Sequence, residues 1–256
     1  MSSTFDVTAS SFEMYRALPP GAPEAIREAI WKASGRTFKA RILDLGAGTG
    51  RLGKAFVLAH DAYVGVDLSM AMLREFSAQC RTACLVQASG EQLPFRDGGF
   101  ELILLIQVLS GAENWRQLLL EVYRVLARRG AIVTGQTVTP ADGVDAQMKR
   151  QLSTILEEMG IAFHEPKKAR KQALAWLESN SSRYTHICAL SWSKERRPQE
   201  FIRRHRTGAR FAALPTAVQE ESLRKLAVWA EKKFGSLDKA FPEEHSFELE
   251  VFEVSN

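Results

Sequence analysis

Residues 42–50 read ILDLGAGTG, and a second apolar run, AYVGVD, ends at Asp67. The pattern predicts a strand, a glycine turn, a helix, a second strand and a carboxylate at that strand's tip. Gly46, Ala47 and Gly48 let the backbone turn sharply and bring it close to a ligand with no side chain between them. A carboxylate about 20 residues further on can accept hydrogen bonds from the two hydroxyls of a ribose. A chain built this way is a parallel α/β sheet that binds an adenosine-type ligand at the carboxyl ends of its strands.

The loop spacing narrows the ligand. Glycines stand at 46, 48 and 50, and Arg51 holds the place where a dinucleotide fingerprint has its third glycine. Asp44, expected inside the turn next to where a pyrophosphate would rest, would repel phosphate and suits a ligand carrying an amino group. S-adenosyl-L-methionine has a ribose, a sulfonium and an amino acid, and no phosphate. At this point the chain resembles the class I S-adenosylmethionine-dependent methyltransferases, in the type 11 branch. The resemblance rests on ILDLGAGTG (42–50), VGVDLS (Val64–Ser69), ASGEQLPFRDGGFELILLIQVL (88–109) and EVYRVLARRGAIVTG (121–135). It covers Phe5 to Thr139 well and the remainder weakly.

The resemblance implies a doubly wound, Rossmann-like α/β fold with a seven-stranded, mostly parallel sheet whose last strand is antiparallel. It also implies roles for residues. Gly46, Ala47 and Gly48 would contact the methionine part, with Asp44 beside them. Asp67 would hold the ribose, and Leu68 and Met72 would flank the adenine. Ser89, Gly90 and Glu91 would read the adenine edge, and Gln107 would lie near the methionine carboxylate or the acceptor. Phe12, Tyr15 and Arg16 resemble an N-terminal motif that closes over the cofactor, where Arg16 pairs with the cofactor's carboxylate; a plain surface arginine is the other reading. Ser89 departs from the aspartate common in relatives, so it accepts from the adenine amino group without charge. The tip of strand 4 reads Gln107-Val-Leu-Ser rather than Asn/Asp-Pro-Pro-Tyr, which argues against an adenine or glutamine amide as acceptor.

Strands are expected at Arg41–Leu45, Ala62–Asp67, Ala83–Ala88, Phe100–Val108 and Ala131–Gly135, with helices Pro23–Ser34 and Asn114–Leu126 among them. Strand–helix alternation predicts the parallel sheet. After Gly135 the rhythm changes. Helices are predicted at Val144–Met159, Lys168–Ser179, Pro198–His205 and Thr216–Phe234, and strands at Tyr184–Trp192 and Phe247–Val254. The division this suggests is an N-terminal lid with helices at 1–36, a cofactor-binding core at 37–136, and a helical cap with the terminal strands at 137–256.

Composition excludes other classes. No apolar run approaches the roughly 18–20 residues that cross a bilayer. No secretory signal is visible. Three cysteines, Cys80, Cys84 and Cys188, form neither a disulfide framework nor a zinc spacing, which fits a cytoplasmic protein with Cys80 and Cys84 as packing residues and no metal. Between Glu165 and Arg210 there are twelve Lys/Arg against four Asp/Glu. That block is either a solvated helical face or a site for an anionic partner. The expected function is methyl transfer to a small molecule held under the cap, yielding S-adenosyl-L-homocysteine, by a monomer or homodimer. Transfer to tRNA or rRNA, or a cofactor-binding homologue without activity, are the alternatives. A general base is needed only where the acceptor must lose a proton. His164, His186 and His205 are the candidates, with His186 foremost because it lies on a predicted strand near the cap.

Overall fold

The computed structural model describes residues 18–36, 39–112, 114–161, 167–206 and 209–254. Phe12, Tyr15, Arg16 and His164 lie outside them. Helix α1 (Ala22–Ser34) leads into β1 (Ile42–Leu45), α2 (Gly53–Leu58), β2 (Tyr63–Asp67), α3 (Met70–Gln79), β3 (Cys84–Gln87) and β4 (Phe100–Ile106). Then come α4 (Trp115–Val125), β5 (Leu126–Val138), α5 (Val144–Glu158), α6 (Lys167–Ser179) and β6 (Arg183–Arg196). Helices α7 (Pro198–Arg206), α8 (Ala209–Ala212) and α9 (Thr216–Phe234) precede β7 (Phe241–Glu253).

The strands form one seven-stranded sheet in the order β3-β2-β1-β4-β5-β7-β6. β1 pairs in parallel with β2 and β4, and β4 with β5. β7 is antiparallel to both of its neighbours, so β6 runs in the same direction as the first five strands. The doubly wound sheet with one antiparallel strand is the architecture expected from the sequence. Chain order reverses between β1 and β4, which places the switch-point crevice at their carboxyl ends.

Alternation along each strand builds two cores. On one face Ile42, Leu102, Leu104, Val133 and Leu249 meet Ile26, Ile30 and Trp31 of α1, Phe56 of α2 and Phe76 of α3. On the other, Leu43, Ile103, Leu105, Ile132 and Phe252 meet Leu118, Leu119 and Val122 of α4 and Ala173 and Leu177 of α6. A third cluster stands apart: Val144, Met148 and Leu152 of α5 with Phe201 of α7 and Leu223 and Leu226 of α9. These helices leave the sheet from the carboxyl ends of β5 and β6, so this cluster is the cap.

Four expectations change. Helix α1 packs on the sheet through Ile26, Ile30 and Trp31 rather than serving as a lid. Helix α6 covers the sheet face beside α4 and is no part of the cap cluster. Strands β6 and β7 run longer than their apolar alternation, because they pair with each other from Ser193↔Glu244 to Arg196↔Phe241, past the last β5 partner, Val138↔Ser246. Cys84 is exposed on the edge strand β3, whereas Cys80 is buried as a packing residue. No helix among the described residues is long and apolar enough to cross a membrane.

Candidate functional site

The turn after β1 is set by three glycines in the left-handed region, with φ of 81° at Gly46, 56° at Gly48 and 82° at Gly50. Their reasons differ. A Cβ on Gly46 would collide with Val108 Cγ2, and one on Gly50 with the Phe76 ring. Those two glycines serve packing. At Gly48 a Cβ would meet nothing closer than the Gly46 carbonyl oxygen at 3.9 Å. Of the three, Gly48 is the one beside which a side chain would meet no obstacle.

Asp67, at the tip of β2, is held in place by the backbone. Its Oδ2 accepts from the Gly48 N–H at 2.9 Å and its Oδ1 from the Ser69 N–H at 2.8 Å. Each carboxylate oxygen keeps a second lone pair, so a ribose with two adjacent hydroxyls fits without displacing either bond. The N-cap of α3 is Ser69, whose Oγ accepts from the Met72 N–H at 3.3 Å. Beside Asp67, the Leu68 side chain is 61% exposed, an apolar surface suited to the face of a purine. Met72, on α3, is buried.

At the next tip, Ser89 Oγ accepts from the Glu91 N–H at 3.2 Å, closing a tight turn. Gly90 lies against Leu45 and Leu118, where a Cβ would sit 3.2 Å from each. The Glu91 carboxylate accepts from Asn114 Nδ2 at 3.1 Å and is thereby tied to the loop entering α4. Gln107 follows β4 with φ of 61°, its N–H donating to the Gly135 carbonyl at 3.0 Å and its Oε1 accepting from Arg51 Nη2 at 2.7 Å.

Asp44 sits differently from the sequence expectation. It belongs to β1, beneath the turn, is 4% exposed, and accepts from the Tyr63 hydroxyl at 2.7 Å. Burial raises its carboxyl to about 6, partly offset by the Tyr63 bond, and burial also raises the Tyr63 hydroxyl.

His186 is not brought to this crevice. It lies on the edge strand β6, four strands from β1 in the sheet order, which is about 19 Å at a strand spacing of about 4.8 Å. Its side chain is 53% exposed and faces Glu248 at 3.4 Å. The sequence suggests a place near the cap because the apolar alternation of β6 stops at Trp192; the cap end of that strand is instead Lys194–Arg196. His205 is stacked on Phe201 at 3.9 Å inside the cap, and burial lowers it to about 4.

Three groups at this edge escape a sequence reading. Arg51 meets Gln107 past the end of β4 and Val108 meets Gly46 in the turn after β1, and local spacing does not reveal such contacts. Glu243 and His245 lie where β7 passes beyond β5, with Oε2 and Nε2 3.3 Å apart and both side chains almost wholly buried. Their alternation with buried Phe247 is the available signal. Among the described residues no group of three His, Cys, Asp or Glu side chains could hold a metal ion.

The sheet order and the glycine turn after β1 define a Rossmann-like, doubly wound α/β fold. Residues 43–134 match the family model described as "Methyltransferase domain", type 11. An uncharacterized protein of Methanocaldococcus jannaschii is 40% identical over 97 residues, covering 38% of this chain and 44% of that protein. A demethylmenaquinone methyltransferase of Tropheryma whipplei is 31% identical over 109 residues, covering 42% and 46%. The chain thus matches less than half the length of these curated relatives. Among solved structures, the YcgJ protein of Bacillus subtilis shares the fold with a TM-score of 0.57 at 19% identity, over 91% of this chain and 98% of that one.

Proposed function

We propose that the chain is an S-adenosyl-L-methionine-dependent methyltransferase acting on a small molecule enclosed between the strand tips and the cap. The observation that carries this is the Asp67 carboxylate, fixed by the Gly48 and Ser69 N–H groups next to the glycine of the turn whose face is open. The domain match over 43–134 and the name of the quinone-methylating relative support it. When bound, the cofactor supplies a methyl group on a sulfonium, and the chain's own part is to orient and to exclude water. Asp67 would accept from both ribose hydroxyls, Leu68 would cover one purine face, and the Ser89–Glu91 turn would read the purine edge. Gly48 would let the main chain approach the amino-acid end, with Ala47 and Gly46 shaping the turn behind it. The cap helices α5, α7 and α9, rooted at the carboxyl ends of β5 and β6, would close over the acceptor.

Calorimetry with S-adenosyl-L-homocysteine tests the cofactor assignment. Wild-type protein is expected to bind it, and Asp67→Ala to bind about 10- to 100-fold more weakly, the loss of charge-assisted hydrogen bonds. Equal affinity in the variant would remove the ribose assignment, and no affinity in the wild type would remove the reading as a whole. Turnover against a panel of quinones, carboxylic acids and amines then identifies the acceptor class.

A further inference from the structure

Two ionisable side chains are sealed at the start of β7. Glu243 is 6% and His245 2% exposed. Glu243 Oε2 and His245 Nε2 face each other at 3.3 Å, and among the described residues neither atom has another hydrogen-bond partner. A carboxylate oxygen and an unprotonated imidazole nitrogen are both acceptors. Two acceptors sealed together without a donor repel, so a proton belongs between them.

Three states put a proton there. A neutral carboxyl can donate to a neutral imidazole, a carboxylate can accept from a neutral imidazole, or a carboxylate can face an imidazolium. The last two bury charge. Burial raises the Glu243 carboxyl and lowers the His245 imidazole. The surrounding charges are of both signs. Arg196 of β6 favours a carboxylate at Glu243, whereas Asp145 of α5 and Asp142 ahead of that helix oppose it. Arg196 and Lys194 of β6 oppose an imidazolium at His245, whereas Asp145 and Glu244 favour it. Burial therefore decides, and it selects the neutral pair.

The pair stands at the joint between sheet and cap. Glu243 Oε1 accepts from the N–H of Val144, the first residue of α5, at 2.5 Å. The Trp192 ring of β6 stacks on His245, with centroids 5.8 Å apart. Anything that changes the charge of the pair is felt where α5 meets β7.

We propose that Glu243 and His245 hold one proton between them as a latch for the cap, with Glu243 as its donor, so that seating α5 on β7 takes up a proton and lifting it releases one. Once the joint opens, water restores the carboxyl to its ordinary value of 4.5 and the imidazole to 6.5. Above pH 6.5 the open pair then holds no proton and the seated pair holds one. The seated cap is favoured by acid in this range and loosens as pH rises, by at most about tenfold per pH unit. Below pH 4.5 the open pair holds two protons, and the sense reverses.

NMR nitrogen shifts of the His245 ring at pH 7 locate the proton. The latch requires the Nδ1–H tautomer, with Nε2 unprotonated and hydrogen-bonded. The Nε2–H tautomer or an imidazolium would each leave Glu243 ionised and overturn the proposal. Hydrogen exchange tests the consequence. Between pH 6.5 and 8.5, after correction for intrinsic rates, opening of α5 in the wild type is expected to rise about 10- to 100-fold while β1 and β4 stay protected. Glu243→Gln reproduces the protonated carboxyl, its amide oxygen accepting from Val144 and its NH2 donating to His245, and cannot ionise. In that variant the rise is expected to fall below about twofold. An equal rise in both proteins, or none in the wild type, would overturn the latch. Should Glu243→Gln fail to fold, the tautomer in the wild type decides alone.

Discussion

Asp44 is a carboxylate sealed beneath the glycine turn, with the Tyr63 hydroxyl as its hydrogen-bond donor. In the unfolded chain it titrates near 3.8; in the folded protein burial raises it to about 6. Between those values the native state holds a proton that the unfolded state has released. Stability from this group is therefore greatest at low pH and is lost as pH rises through the window. The full loss is about 3 kcal/mol, at about 1.4 kcal/mol per unit. Asp44→Asn keeps an oxygen for Tyr63 and cannot ionise. Urea unfolding of both proteins from pH 4 to 7.5 should show the stability difference moving in favour of the amide variant by up to about 3 kcal/mol. A difference independent of pH would mean that Asp44 does not titrate in this range. At this scale the sequence is informative where the chemistry is local. Gly48 and Asp67 belong to short motifs whose spacing carries their meaning. The Asp44–Tyr63 pair joins neighbouring strands and the Arg51–Gln107 pair joins the loops after β1 and β4, and no local pattern marks either.

Among the elements, the least legible is the end of the β6–β7 hairpin. The apolar pattern starts β7 only at Phe247, because the residues before it are Pro, Glu, Glu, His and Ser. Their burial nevertheless alternates: Glu243 and His245 face inward with Phe247 while Glu244 faces out. The strand begins earlier because β6 pairs with it and the cap covers its inner face. Glu243 makes the junction. Its Oε1 accepts from the Val144 N–H at the first turn of α5, at 2.5 Å. It thus supplies from β7 the capping group that Gly143 lacks. Gly143 is needed for that approach, because a Cβ there would stand 2.8 Å from Glu243 Oε1. Arg196 of β6 and Arg204 of α7 reach Asp145 in the same turn of α5, at 3.4 and 2.9 Å. Glu243→Ala should therefore loosen the cap selectively. It removes one buried capping bond and leaves His245 without its carboxylate neighbour, a loss of about 1–3 kcal/mol. Hydrogen exchange is expected to rise in α5 and α7 while β1 and β4 stay protected. Uniform exchange across the sheet would show that the residue supports the whole fold rather than the cap.

The whole molecule decides whether its basic stretch is a binding surface. The twelve Lys/Arg between Glu165 and Arg210 read as a block along the chain, but the fold divides five of them between the sheet and the cap. Arg170 reaches Glu250 and Arg183 reaches Glu253 on the sheet, near the start of β6. Arg196 and Arg204 converge on Asp145 under the cap, and Arg197 pairs with Glu195 and Glu200. Charges that neutralise acids of the same chain release few counterions from a polyanion, and charges on separate surfaces do not act together on one strand. These pairings remove five of the twelve charges from the block that motivates the RNA reading. In titrations with unmodified tRNA, affinity is expected to be weak and its logarithm to fall with log salt at a slope no steeper than about −2, the value for some two phosphates neutralised. A slope of about −4 or steeper, with binding persisting near roughly 0.15 M salt, would restore RNA as the acceptor and make the cap a groove for it.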